Sequence, residues 1–428
     1  MKFIKYPQKE KWSKHLKRPE SDQENLEGVI GNILYEVRQN GDSALKYFTK
    51  KFDGVSLKSI QVTDSEVALA SRNINKELKA AIKIAAENIK KFHSAQLIKY
   101  PKIETTQGVY CWQKQVPIQR VGLYAPGGTA PLFSSVLMLG IPAKIAGCEE
   151  VVLCSPPNKE GKIHDAILYA ASVTGIEKIY KIGGAQAIAA LAYGTRSVPA
   201  VDKIFGPGNS FVTTAKQLAS LEGVAIDLPA GPSEVAVIAD SGANPEFIAA
   251  DLLSQAEHGV DSQVILISDD EKVIKKTQEA IKKQLPNLPR KNIAEVALKK
   301  SRAFLVTDLK EAMELTNDYA PEHLILAVAN PKELAKSVIN SGSVFLGYYS
   351  PEAAGDYASG TNHTLPTNGY ARAYSGVSVD SFMKKITFQE VTKKGLENLG
   401  KTIEVLAEAE QLQAHKYAIS VRTKKITK

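Results

Sequence analysis

Four of the seven histidines lie between residues 258 and 415, and each has an acidic or amide residue nearby in the chain. The segments are Gln255-Ala256-Glu257-His258, Pro321-Glu322-His323, Gly355-Asp356 followed by Asn362-His363, and Glu410 ahead of His415. Imidazole titrates near neutrality and is the commonest metal ligand, so histidines gathered beside carboxylates suggest chemistry rather than packing. Gln255 and His258, three residues apart, are expected on one face of the helix that starts after Asn244, close enough for one ion. A helix-terminal histidine bonded to the backbone is the plainer account of that pair, as a turn residue is of Asp356. With Asp356 and His415 added, the donors are two imidazoles and two oxygens. Lacking a thiolate, such a set suits an open catalytic zinc site better than a closed structural one. Spacing alone does not bring the four together. His15, His93 and His164 have no such neighbours and carry no assigned role.

Glu322-His323 opens the apolar run Leu324 to Val328, so a carboxylate and an imidazole stand at the mouth of a buried strand. Neighbours on an extended chain point to opposite faces and can act at two points on one substrate. A desolvated Glu has a raised pKa, which suits a base working near neutrality. A solvated strand-edge pair is the competing account. Three glycine loops follow short apolar runs: Tyr124 to Pro131, Gly183 to Gln186 and Gly206 to Ser210. At strand–helix junctions such loops let backbone amides approach a phosphate. None is G-x-G-x-x-G, so each is either a tight turn or part of a nucleotide site without the usual fingerprint.

The elements that must hold these residues are legible in the periodicity. The first hundred or so residues read as helical, with Asp42-Ser43 capping a run through Lys51 and a helical pattern from Asp64 to Phe92. From residue 120 short apolar runs alternate with Ala-rich helices. Strands are expected at 121–123, 150–154, 178–182, 202–205 and 224–227, then at 235–239, 264–268, 303–306, 323–328 and 343–346. Helices are expected at 163–172, 186–193 and 210–221. Alternation at this pitch implies parallel α/β sheets. A Gly/Pro-rich junction at 228–232 divides two lobes, and a helix from Phe388 to Ala414 precedes a basic tail, Arg422 to Lys428. The expected architecture is α/β: two Rossmann-like lobes with parallel sheets, a helical N-terminal segment and a mostly helical C-terminal extension.

Composition limits the function classes. With 428 residues, 44% apolar and 23% charged, the chain is an ordinary globular one with room for more than one domain. No apolar run approaches membrane-spanning length and the N-terminus has no signal-like core, so no membrane association is expected. Cys111, Cys148 and Cys154 have no paired spacing, which fits a reducing cytoplasm. The net charge of +8 comes from lysines scattered along amphipathic helices. With no nucleic-acid motif beside them, a solvated surface is expected rather than a nucleic-acid partner.

Longer motifs narrow the reading further. Arg120 to Pro131, Phe205 to Asn209, Asp227 to Glu234, Ser254 to Gln263, Tyr319 to Leu324, Ala354 to His363 and Ala409 to His415 occur in the order found in the histidinol dehydrogenase family. The chain resembles that family over nearly its whole length. The resemblance implies a zinc-dependent, four-electron oxidation of L-histidinol to L-histidine through L-histidinal, with two NAD, in L-histidine biosynthesis. It implies one zinc ion held by Gln255, His258, Asp356 and His415, with Glu322 and His323 as acid–base residues. Ser233, His363 and Glu410 would contact substrate along with the zinc ligands and His323. Tyr124, Gln186 and Asn209 would line the NAD site.

The family pattern also implies a homodimer whose C-terminal segment completes the partner's site. The corresponding domains are an N-terminal helical segment (1–20), a discontinuous zinc, substrate and catalytic lobe (21–120 and 235–370), an NAD lobe (121–234) and an exchanged extension (371–428). Three other readings remain open at this stage. A zinc hydrolase of a small amine or imidazole would use the same ligands but not the glycine loops. A thiol dehydrogenase would need Cys148 or Cys111 as nucleophile, and a nucleic-acid-binding protein would use the positive charge.

Overall fold

The structure, a computed structural model, describes residues 1–19, 24–127, 131–229 and 231–426. Gly128, Thr129 and Ala130 of the first glycine loop, Ala230 of the junction, and Thr427 and Lys428 of the tail lie outside the described residues. Among the described residues the chain is α/β, with two parallel sheets, one antiparallel sheet and many helices.

The first parallel sheet runs, in spatial order, Lys178–Lys181, Glu150–Ser155, Arg120–Tyr124, Lys203–Phe205 and Ala225–Ile226. Chain order reverses between Arg120–Tyr124 and Lys203–Phe205, the switch point where open α/β sheets bind ligands at their carboxyl ends. Gly206, at φ +131°, passes so close to Tyr124 there that a side chain would strike its carbonyl oxygen. The second sheet runs Lys2–Lys5, Arg302–Leu305, Gln263–Ser268, Glu234–Ala239, His323–Ala327 and Ser343–Leu346, also parallel throughout. Its central strands are buried from end to end, which is why they read as unbroken apolar runs rather than alternating ones. The helices between strands start where polar side chains cap free amides. Asn209, Asn244 and Asp308 each accept from a first-turn N–H.

Four expectations need correction. The N-terminal segment is not simply helical: Lys2–Lys5 forms an edge strand against Arg302–Leu305, and only Trp12–His15 is α-helical before residue 19. An apolar pair inside a charged tetrad is too short to reveal a strand by periodicity. The helical pattern from Asp64 to Phe92 is two helices, Asp64–Asn73 and Lys76–Ser94, because Ile74 is extended and Asn75 caps the second. Residues 388–391, expected as helix, belong to the strand Met383–Val391. It pairs with Val109–Pro117, which in turn pairs with Ile103–Thr106. Helix begins only after the Thr392 cap and is interrupted between Ala409 and Gln413.

The fourth concerns packing. The helices Glu24–Asp53, Asp64–Asn73 and Lys76–Ser94, expected to group with 235–370, share their apolar cores with residues 121–228. Gly41, at φ 51°, kinks the first of them. Asp42, expected as a cap, has its carboxylate bonded to Thr195 and Ser197 of the first lobe. Trp12 and Leu16 instead pack with the second sheet. Among the described residues no helix is long and apolar enough to cross a membrane.

Candidate active site

Two neighbouring strands of the second sheet bring the chemistry together at their amino ends. His323 is in register with Val235, so Glu322-His323 and Glu234 start side by side. This is the edge opposite to the one that open α/β sheets normally use, and the one implied by the apolar run that follows His323. Gln255 reaches the same point from the last turn of the helix Pro245–Ala256. Asp356 comes from the short helix Glu352–Tyr357 rather than from a loop.

The hydrogen bonds fix what each group can offer. Glu322 Oε2 accepts from the Glu234 amide at 2.9 Å and from Gln255 Nε2 at 3.4 Å. His323 Nδ1 donates to the Glu234 carbonyl at 3.0 Å, so Nε2 is the ring's acceptor nitrogen. Gln255 Nε2 also lies 3.2 Å from Nδ1, but two donors cannot satisfy each other, and the Glu234 carbonyl is the partner of both. His323 Nε2, Gln255 Oε1 and Glu352 Oε2 are buried with no hydrogen-bond partner. Ligand atoms of His323, Glu352 and Asp356 lie within 4.8 Å of one another, with His323 Nε2 3.6 Å from Asp356 Oδ1. Unpartnered buried acceptors converging from several elements are what a cation requires. The residues fit a metal ion.

The electrostatics point the same way. Burial pushes the Glu322 carboxyl up to about 8, with Glu234 and Asp356 adding to the rise. Burial also raises Glu352. Burial alone would lower His323, yet Glu322, Glu352 and Asp356 outweigh it and hold its pKa up. Asp356, despite burial, is lowered by His323, His363 and His258. One imidazole could not balance all three carboxyls if they ionised together, and burial holds those of Glu322 and Glu352 toward the neutral form.

Of the residues expected at the site, the fold gathers Gln255, Glu322, His323 and Asp356. His258 lies two residues past the end of its helix rather than on it. It is open to solvent, yet near enough to interact with the charges of Asp356, His323 and His363. His363 Nδ1 donates to the Asp356 carbonyl at 2.9 Å, and its Nε2 meets Ser135 Oγ at 3.2 Å. Ser135 belongs to the helix Phe133–Ala146, directly after the first glycine loop, so the first lobe touches the site here. Ser233 is half-buried beside Glu234, its carbonyl accepting from the Gln263 amide. Glu410 and His415 stand exposed at the turn between Lys393–Ala409 and Gln413–Ile426, and no described contact joins them to Asp356 or His323.

Tyr124, Gln186 and Asn209 lie at strand–helix junctions on the carboxyl edge of the first sheet. Tyr124 Oη accepts from the Gly184 amide at 3.1 Å, and Gln186 Oε1 is buried without a partner. Asn209 Oδ1 caps its helix through the Val212 amide. Sequence reasoning missed Glu352, although its four-residue spacing from Asp356 puts both on one helical face. It also assigned no role to Glu234, a carboxylate opening a buried strand.

The histidinol dehydrogenase family profile matches residues 16–423. The chain belongs to the histidinol dehydrogenase family. It is 58% identical over its full length to all of the histidinol dehydrogenase of Bacteroides fragilis. It is 59% identical to that of Bacteroides thetaiotaomicron over 99% of both chains. The crystal structure of the histidinol dehydrogenase of Elizabethkingia anophelis is 53% identical and superposes with a TM-score of 0.98, covering 100% of this chain and 99% of that one. The chain is thus an oxidoreductase of that family, and the likeness spans the strand that begins at His323, the helix with Asp356 and the two C-terminal helices alike.

Asp251, one turn before Gln255, has its carboxyl pushed up to about 7 by burial. From roughly pH 4 to pH 7 the unfolded chain ionises there while the native one stays protonated, so stability falls across that window and levels off above it. Asp251→Asn should match the parent in thermal unfolding at pH 4 and exceed it at pH 8, by on the order of 1 kcal/mol or more.

Proposed function

We propose that this protein oxidises L-histidinol to L-histidine through L-histidinal, using one zinc ion per subunit and two NAD. The observation that carries the proposal is the convergence of Gln255, Glu322, His323 and Asp356, with unpartnered acceptor atoms among them, in a chain of this family. The donors that would hold the metal are Gln255 Oε1, an Asp356 carboxylate oxygen and the His258 ring. His415 would come from a second copy of the chain. When bound, the ion would anchor the substrate's imidazole and amine and supply the positive charge the carboxylates lack, while NAD would accept hydride.

The chain's own residues do the proton work. His323, its Nδ1 tied to the Glu234 carbonyl, presents Nε2 to the alcohol and takes the hydroxyl proton as the carbinol carbon gives up hydride. Glu322 then removes a proton from the water that adds to the aldehyde, giving a hydrate whose second hydride loss leaves the carboxylate. His363, held between Asp356 and Ser135, would orient the imidazole end of the substrate together with Ser233 and the partner's Glu410. Tyr124, Gln186 and Asn209 would bind NAD at the switch point of the lobe 121–234, beside the helix that carries Ser135.

A zinc hydrolase would leave that edge and the family likeness unexplained. A thiol dehydrogenase is disfavoured because burial pushes Cys148 up to about 11, and Cys111 lies in the antiparallel sheet with no described contact to Glu322, His323 or Asp356. Free cysteines support a reducing cytoplasm as the place of action. The exposed Glu410 and His415, remote from any described site contact, support a homodimer with shared active sites.

Histidinol and NAD added to the purified protein should yield two NADH per histidine. A strong chelator should abolish that turnover and zinc should restore it; chelator-insensitive turnover would remove the metal from the scheme. Glu322→Gln should slow oxidation of added histidinal by about a hundred- to ten-thousand-fold, the usual range for losing a general base. If that variant oxidised histidinal at the parent rate, water activation would lie elsewhere. Glu322→Gln and His415→Ala, each inactive alone, should regain activity when their subunits are exchanged; a mixture that stays inactive would confine His415 to its own chain.

A further inference from the structure

Beneath the acid–base pair is a buried network that the scheme above does not use. Arg18 forks onto the Glu234 carboxylate, Nε to Oε1 and Nη2 to Oε2, the latter at 2.9 Å. The same Nη2 donates to the carbonyl of Tyr319 at 2.8 Å and that of Ala320 at 3.4 Å. The guanidinium lies 4.1 Å from the centre of the Tyr319 ring, whose hydroxyl donates to Gln263 Oε1 at 2.9 Å. The ion pair is deep: the side chains of Arg18 and Glu234 are 16% and 2% exposed.

Each end of this grip leads to a catalytic group. The main-chain N–H of Glu234 donates to Glu322 and its carbonyl accepts from His323 and Gln255, so a shift of that residue's main chain moves all three together. Ala320, two residues before Glu322, takes left-handed backbone angles of φ 54° and ψ 66°. That conformation is disfavoured for an L-residue and persists only where its surroundings impose it. Arg18 bonds the carbonyls on both sides of that turn. We infer that Arg18 is a positioning residue for the reaction: one guanidinium clamps Glu234 and the Tyr319–Ala320 turn, and so sets where Glu322 and His323 point.

A lysine would keep the charge but lose the fork, and with it the simultaneous hold on two segments. Stability alone is a poor reason for such a pair, because a buried salt bridge is often no better than an apolar replacement. Without Arg18 the Glu234 carboxylate keeps the Asn368 amide, at 3.1 Å, as its remaining described partner. It would then have to turn or take up a proton, and the adjoining peptide would turn with it.

The inference rests on the reading of Glu322 and His323 as the acid–base pair, and its test is set within histidinol turnover by the full-length, zinc-loaded enzyme. Arg18→Gln should lower kcat by on the order of tenfold or more, since small misplacements of reacting groups are costly. The KM for NAD and the zinc content per subunit should stay at parent values. Arg18→Lys should fall between the two. Arg18→Gln combined with Glu234→Gln should be no slower than the slower single variant, because both act through one contact.

A kcat within about twofold of the parent in folded Arg18→Gln would overturn the inference. So would a loss matched by missing zinc or missing folded protein, or losses that multiply in the double variant. If Arg18→Gln does not fold, Arg18→Lys decides: reduced kcat at parent zinc content supports the clamp, and parent kcat refutes it. A parent enzyme that turns over histidinol while the variants stay unimpaired refutes only the clamp. A parent without turnover removes the proposed function, and the clamp with it.

Discussion

The architecture of this protein turns on a charge imbalance. Glu322, Glu352 and Asp356 are packed around one imidazole, that of His323, in a space from which water is largely excluded. Carboxylates so placed repel one another and lose hydration, and a single protonated ring cannot offset them all. The fold tolerates the arrangement because main-chain groups of Glu234 satisfy Glu322 and one side of His323. What is left over is a set of acceptor atoms aimed at one another. A bound cation would resolve that conflict, and the same carboxyls are what hold the His323 pKa up.

The two lobes contribute unlike edges. The first sheet offers the carboxyl ends of its strands, where glycine-rich turns bring backbone close to any ligand at the switch point. The second offers the amino ends of its strands, where peptides at the start of each strand still have free hydrogen-bonding groups to spend on side chains. Ser135 and His363, with Asn362 donating to the Met138 carbonyl at 2.6 Å, tie the helix after the first glycine turn to the segment after Asp356. In the proposed reaction a hydride acceptor on one edge and a proton acceptor on the other would meet over a single small molecule.

Much of this was legible in the sequence, for reasons that can be named. Fully buried parallel strands are unbroken runs of Val, Ile, Leu and Ala, so their positions were found within a residue or two. Caps such as Asn244 before Pro245 announced helices. What failed were features decided by distant partners. Lys2–Lys5 is a strand only because Arg302–Leu305 lies open beside it, and Phe388 lies in a strand because Trp112 stacks on its ring at 5.5 Å. Glu322-His323 stood out as a pair at the head of an apolar run, and the fold places it beside Gln255 and Asp356, but periodicity cannot say which distant side chains meet it there. Glu352 and Arg18 were overlooked because a charged residue on a short helix or near a terminus looks solvated until its neighbours are known.

Lys2–Lys5 and Arg18 are made well before the groups that receive them, at Glu234, Arg302–Leu305 and Tyr319. Contacts so distant along the chain carry a high loop-closure cost and form late. During synthesis the opening residues therefore wait, undocked, until most of the polypeptide has emerged. The edge that carries Glu234 and Glu322 is thus closed by residues made long before it, late in folding.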